Sequence, residues 1–231
     1  DALNRIMKRY GGHFEHNEQS RRVVGLLEKS YPDFAGLNLT FEVLDGLIKH
    51  QTSWDQVDKK FEVSAHLEAQ VVNIADEIAY TNHDIDDGLR SGLITLRQLN
   101  KMRLWKMALA AAEKKYGKIK DKEVLISRTI SSIISMMISD LCKQTNKNIQ
   151  AYKIKSVNDV RRQKKAIACF SMAMRKMVNE MRIFLYKNFY MQKEIAKMTK
   201  RGEMMIEKVF ANFMKHPEKL PKKFFNKKEP L

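Results

Sequence analysis

A chain of 231 residues, 44% hydrophobic and 30% charged, has the balance of a globular protein and can bury one large core or two small ones. Nine glycines and four prolines leave few tight turns, which favours long helices. The net charge of +16 is unevenly placed: residues 1–99 hold 11 Lys or Arg against 16 Asp or Glu, and residues 100–231 hold 32 against 11. An acidic first half is therefore followed by a second half of +21 that can attract polyanions, unless its lysines are simply solvated on long helices. The two cysteines, Cys142 and Cys169, belong to no ligand motif and read as reduced thiols of a cytosolic protein. No apolar stretch reaches the roughly 18 residues of a membrane span. The best candidate, Thr129 to Ser139, is short and rich in serine.

In chain order, Ala2 to Tyr10 reads as a short helix stopped by Gly11 and Gly12. A second helix is expected from about His16 to Ser30, with Val23, Val24, Leu26 and Leu27 on its buried side. Thr40 can cap a third, from Phe41 to about His50, followed by a polar loop from Gln51 to Phe61. A long helix is expected from Ser64 through Leu89. Further helical patterning covers Arg97 to Tyr116, Glu123 to Gln144, Asn158 to Glu180 and Glu203 to Lys215. Met181 to Thr199 reads as helical with a break that the pattern does not place, and Lys222 to Lys228 as a frayed tail. No strand alternation and no internal repeat is visible, so the expected fold class is all-α, a multi-helix bundle with a helical C-terminal extension.

The informative segment is Leu67 to Leu89. On a helix, with Asp76 as origin, Val71, Ile74, Ile78, Ile85 and Leu89 fall within an arc of about 60°. Asp76, Tyr80, His83, Asp84 and Asp87 gather within about 100° on the other side. A solvated face is the common reading of such a pattern. Against it stands the absence of any Lys or Arg between Ala65 and Leu89, where a solvated face would mix signs to gain i,i+4 pairs. Carboxylates without cations, beside an imidazole, suggest a divalent metal. A second cluster, Gly11 to Ser20, carries His13 and His16, which could ligate or shuttle a proton but in isolation are more often structural.

Together these segments resemble the bacterial HD-domain triphosphohydrolases that act on dGTP and related dNTPs. The run Gly11-Gly12-His13-Phe14-Glu15-His16-Asn17-Glu18-Gln19-Ser20 is similar to the family's Gly-Gly-Phe-Glu-His-Asn-x-Gln-Ser, with His13 inserted. Residues Leu67 to Leu93 resemble its most diagnostic stretch, and Leu37 to Leu44 its connector. The resemblance implies that Asp76 is the closing aspartate of a His…His-Asp…Asp metal signature. It implies that Tyr80 and Asp84 contact the deoxyribose and its 3′-hydroxyl. It further implies that His16 assists proton transfer beside the triphosphate, with Asn17 a neighbouring polar contact and Lys49 a weaker match to a phosphate-binding lysine. A divalent metal ion, a dNTP substrate and a homo-oligomer come with the family, and the family's first histidine, its His-Asp pair and its main catalytic His/Glu segment are expected to precede Asp1. On this basis residues 1–116 read as the C-terminal part of an HD-type phosphohydrolase domain and 117–231 as a basic helical C-terminal region. The rival from another class is a nucleic-acid-binding helical protein, in which Phe184, Tyr186, Phe189 and Tyr190 interleave with Arg182 and Lys187 to hold single-stranded DNA. Packing of these aromatics inward is the simpler expectation.

Overall fold

The structure, a computed structural model, describes residues 2–49 and 64–221. The loop expected at Gln51–Phe61, the end of the third helix at His50 and the tail from Lys222 lie outside these residues. Among the described residues there are ten α-helices and no strand, so the all-α expectation holds. The chain forms two compact units.

The first unit comprises Asp1–Gln19 and Lys193–Leu231. Within it, α1 (Ala2–Arg9) buries Ala2 and Ile6. It meets α10 (Lys193–Lys215) through ion pairs Arg5–Glu203 at 3.0 Å and Arg9–Glu207 at 3.7 Å, with the Tyr10 and Phe210 rings 5.5 Å apart. These pairs are exposed, so they orient the two helices more than they stabilise them.

The second unit, Ser20–Gln192, holds the main core. The second helix is shorter than its pattern suggests. Regular α2 is His16–Arg22, and a π-turn over Val23–Leu27 ends it where Glu28 N–H bonds the Val23 carbonyl. The chain then folds back, Leu37 N–H reaching the Val24 carbonyl at 2.7 Å. Gly36, at φ +71°, lies so close to Gly25 that a Cβ would sit 2.4 Å from its carbonyl. This widened turn leaves Leu26 and Leu27 exposed rather than buried. Thr40 stands at the start of α3 (Phe41–Ile48) without a side-chain cap bond.

The central element is α4 (Leu67–Arg90). His66 begins it: Ala69 N–H bonds to Nδ1, and Nε2–H donates to the Glu42 carbonyl of α3 at 2.8 Å. Beyond it come α5 (Leu96–Leu99), opened by a capping box of Thr95 and Gln98, α6 (Arg103–Tyr116), stopped at Gly117, and α7 (Lys122–Ala151). A short α8 (Val157–Arg161) and then α9 (Met172–Leu185) follow. Trp105, Ile85, Ile94, Leu104, Ile133 and Met137 form the centre of this core and are almost completely buried.

Two differences from the sequence pattern have clear causes. The helix expected over Asn158–Glu180 is split, because the segment between α8 and α9 is held by side chains from elsewhere. Gln70 of α4 accepts the N–H groups of Ile167 (2.7 Å) and Ala168 (3.1 Å), and Asn148 of α7 donates to the Ile167 carbonyl. The Asp140 carboxylate takes both the N–H and the hydroxyl of Ser171, the residue that caps α9. The break expected within Met181–Thr199 falls after a second π-turn, Tyr186–Tyr190, just before α10.

In addition, α7 is long and apolar enough, by length and composition only, to cross a membrane, which no uninterrupted run in the sequence indicated. Its window includes serines and threonines, several of whose hydroxyls bond carbonyls four residues back, and so it escapes a count of apolar residues. Only 22% of that window is buried, through a face carrying Ile133 and Met137 that packs on α4 and α6.

Gln70 is 6% exposed, and its loss would leave two buried amides without an acceptor. Gln70→Ala should therefore lower unfolding stability by about 2–4 kcal/mol, read as a reduced urea midpoint at unchanged slope.

Candidate functional site

Of the candidate residues in the second unit, Asp76, Tyr80 and Asp84 lie along α4 and Lys49 follows α3. Asp76, Tyr80 and Asp84 recur every four residues and so share one side of the helix. Asp76 is exposed, whereas Tyr80 and Asp84 are half-buried. The buried side carries Ile78 and Ile85, as the periodicity indicates, but also the polar residues Gln70, Glu77, Thr81 and Asn82. The apolar arc is correspondingly displaced: Ile74 and Leu89 are only partly covered and Val71 is 39% exposed.

Glu77 was not singled out by the sequence pattern, yet it is the most deeply placed acid of α4, at 6% exposure. Arg175 of α9 donates to it at 2.6 Å, and the Arg182 guanidinium stands 4.0 Å away. The Arg175 guanidinium also lies over the Phe170 ring, 4.9 Å from its centroid. A buried carboxylate needs this kind of partner, because leaving it unpaired costs several kcal/mol. The cations missing from 65–89 are thus partly supplied from about 98 residues further along the chain. At the helix end, Arg90 pairs with Asp86 at 2.7 Å. Asp76 and Asp87 have no ion pair among the described residues.

Asp84 accepts a short hydrogen bond from the hydroxyl of Tyr190, in the π-turn that follows α9. Burial pushes the Asp84 carboxyl above the ordinary range, while the Tyr190 hydrogen bond pulls it back. Neighbouring Asp87 raises it further, and His83 lowers it. The Tyr190 phenol is itself held well above its usual range, by burial first, then by its bond to Asp84 and by the charges of Asp84 and Tyr80. Sequence reading placed Tyr190 only among aromatics of a basic segment, and nothing local links it to Asp84, 106 residues earlier. Of those aromatics Phe184 and Phe189 are buried and Tyr186 is 48% exposed, so the inward packing holds for two of the four.

Lys49 follows α3 and donates to Asp45 at 2.9 Å, both side chains being largely covered. His16 and Asn17 belong to the first unit, at the start of α2. The Glu15 carboxylate receives the backbone N–H groups of Asn17 (3.1 Å) and Glu18 (2.9 Å), and His16 Nδ1 lies 3.1 Å from it. His13, the extra residue of the motif, bonds Glu18 at 2.7 Å. No group of three or more His, Cys, Asp or Glu side chains placed to hold a metal occurs among the described residues. The donors present around Asp76 therefore do not constitute a metal site by themselves.

Tyr190→Phe removes the donor but keeps the ring. The Asp84 carboxyl should then titrate at still higher pH than in the unaltered chain, because the bond it loses favours the charged form. Carboxyl-carbon NMR titration reads this directly, and an unmoved or lowered titration would contradict the assignment.

Comparison with known proteins shows the family of the chain. Residues 168–229, which include Arg175, Arg182 and Tyr190, match the family described as the phosphohydrolase-associated domain. All of the chain aligns, at 41% identity, with 61% of a deoxyguanosinetriphosphate triphosphohydrolase-like protein of Geobacter sulfurreducens. Proteins of the same description from Nitrosomonas europaea and Leptospira interrogans are 40% and 37% identical, over 98% and 96% of the chain and 62% and 59% of their own lengths. The chain thus spans about three fifths of these relatives. It belongs to the deoxyguanosinetriphosphate triphosphohydrolase-like family, as a part of such a protein.

Proposed function

We propose that the chain is the sugar-gripping part of a dNTP triphosphohydrolase, which converts a dGTP-like dNTP and water to a deoxynucleoside and inorganic triphosphate. In this reaction the water oxygen bonds to the α-phosphorus, the bond from that phosphorus to the 5′-oxygen breaks, and the 5′-oxygen takes up a proton. The observation that carries the reading is the alignment of Asp76, Tyr80 and Asp84 along one side of α4, with Asp84 held by Tyr190. It is supported by the relatives, whose descriptions name the triphosphohydrolase-like class.

Each residue then has a task suited to its chemistry. With one carboxylate oxygen engaged by Tyr190, Asp84 offers the other to accept the 3′-hydroxyl of the sugar. The Tyr80 ring, one turn earlier, presents an apolar surface to the deoxyribose. His16 carries the proton, and Asn17 and Lys49 make polar and phosphate contacts. Asp76 is one ligand of a divalent ion whose remaining ligands lie outside the described residues. The intact enzyme is read as a cytosolic homo-oligomer.

The 231-residue chain alone should release no triphosphate from any dNTP and should bind Mn2+ weakly, since one carboxylate cannot hold the ion in fixed geometry. Joining it to the portion of a relative that it does not span should restore both. In that joined protein Asp76→Ala should abolish metal binding and turnover together. Tyr80→Ala and Asp84→Ala should chiefly weaken nucleotide binding, and His16→Ala should lower the rate more than the affinity. Triphosphate release by the chain alone, or full activity after Asp76→Ala, would overturn the assignment.

A pH dependence follows from Asp84. Its raised titration means that protonation begins at higher pH than for an ordinary aspartate near about 3.9. Nucleotide affinity in the joined protein should therefore fall on acidification already above the usual carboxylate range, and Asp84→Asn should remove that component of the pH profile.

A further inference from the structure

Helix α3 lies against the first turn of α4, and the contact is built around His66, the residue that begins α4. The residue is 9% exposed and its ring is engaged on both sides. Nε2 lies 2.8 Å from the Glu42 carbonyl of α3, and Nδ1 lies 3.3 Å from the backbone nitrogen of Ala69. A carbonyl can only accept and an N–H can only donate. The two partners together therefore select one form of the ring, neutral with its hydrogen on Nε2.

Glu68 Oε2, 3.1 Å from Nδ1, pulls the other way, since it would accept a second hydrogen there. Its side chain is 82% exposed, and water can replace the contact. The Ala69 amide is buried and has the ring as its acceptor, so it decides the outcome. The Glu68 carboxyl is held below its ordinary range by its own backbone N–H first and by His66 second. Gly46 of α3 makes room for the ring: a Cβ there would stand 3.3 Å from Nε2 and 3.2 Å from the Ala69 Cβ. A glycine at this point lets the two helices come this close.

What α3 carries is Lys49. Its N–H bonds the Asp45 carbonyl at 3.0 Å and its Nζ the Asp45 carboxylate at 2.9 Å. The lysine is thus tied to α3 by backbone and side chain alike, and its place is the place of α3. We propose that His66 is a positioning residue: in its neutral form, with the hydrogen on Nε2, it seats α3 on the start of α4 and so fixes where Lys49 stands relative to Asp76, Tyr80 and Asp84. The seat is read from contacts alone, and its effect on nucleotide binding rests on the phosphate contact proposed for Lys49.

Two variants separate the two tasks of the ring. Serine caps a helix well but is too short to reach Glu42, so His66→Ser keeps the start of α4 and removes the seat. A glutamine amide can reach the Glu42 carbonyl, so His66→Gln gives up the cap and keeps the seat. In the 231-residue chain, hydrogen exchange of peptides within 41–49 should be about fivefold or more faster in His66→Ser and should return toward the original rate in His66→Gln. Nitrogen NMR of the unaltered chain at neutral pH should show the His66 ring with its hydrogen on Nε2 alone. In the protein joined to the portion of a relative that it does not span, His66→Ser should raise KM for the nucleotide about as much as Lys49→Ala, with kcat little changed. The double variant should add little to either single one. Exchange within 41–49 that is unchanged in His66→Ser, or equally fast in His66→Gln, would overturn the proposal, as would a ring carrying hydrogen on Nδ1. If α3 loosens in His66→Ser while Lys49→Ala leaves KM unchanged, the seat stands and the phosphate contact of Lys49 is what fails.

Discussion

What α4 offers on its outer side depends on how three polar side chains hold its inner one. Gln70 takes two backbone amides from the segment before α9, Glu77 takes the Arg175 guanidinium from α9 itself, and Asn82 faces Met137 of α7. Apolar packing alone would tolerate some rotation of a helix about its axis. A hydrogen bond does not, because a buried polar atom that turns away from its partner bears the full cost of desolvation. These contacts, spaced along the length of α4, set its rotation, and that rotation decides which way Asp76, Tyr80 and Asp84 face.

The same contacts explain why the basic second half is needed near an acidic helix. Arg175 neutralises Glu77 inside the unit and, in the following π-turn, Tyr190 donates to Asp84. A π-turn changes the phase of the helix it continues, and here its last residue, Tyr190, makes the Asp84 contact. The stretch that matches the phosphohydrolase-associated family therefore does more than extend the bundle. It provides the cation and the phenol that allow two acids of α4 to be covered, while Asp76 stays exposed.

Much of this was legible in the sequence wherever the physics is local. The absence of strand alternation, the apolar positions Ile78 and Ile85, and the four-residue recurrence of Asp76, Tyr80 and Asp84 all follow from helical periodicity. The run from Gly11 to Ser20 and that from Leu67 to Leu93 carry the family likeness, which the relatives bear out. What could not be read was set by partners distant in the chain. Glu77 and Gln70 look like ordinary surface residues, and nothing local ties Tyr190 to Asp84, until residues about 100 positions away are placed against them. The helix expected across 158–180 is broken because Gln70, Asn148 and Asp140 hold the backbone of a non-helical segment there, not because of any local breaker. Leu26 and Leu27 were assigned to a buried side on periodicity, and a π-turn closed by Gly25 and Gly36 changed the phase.

The central claim is that the buried polar contacts of α4 fix the environment of its outer acids. The most direct measurement is the carboxyl-carbon titration of Asp84 after Arg175→Met, a change remote from Asp84 in sequence that loosens α4 from α9. Burial is the largest influence raising the Asp84 carboxyl, larger than the Tyr190 bond that lowers it. If the contact at Glu77 maintains that burial, the Asp84 titration should move down toward the ordinary aspartate range as the chain loses stability. An Asp84 titration identical to that of the unaltered chain, in an Arg175→Met protein that has measurably lost stability, would contradict the account.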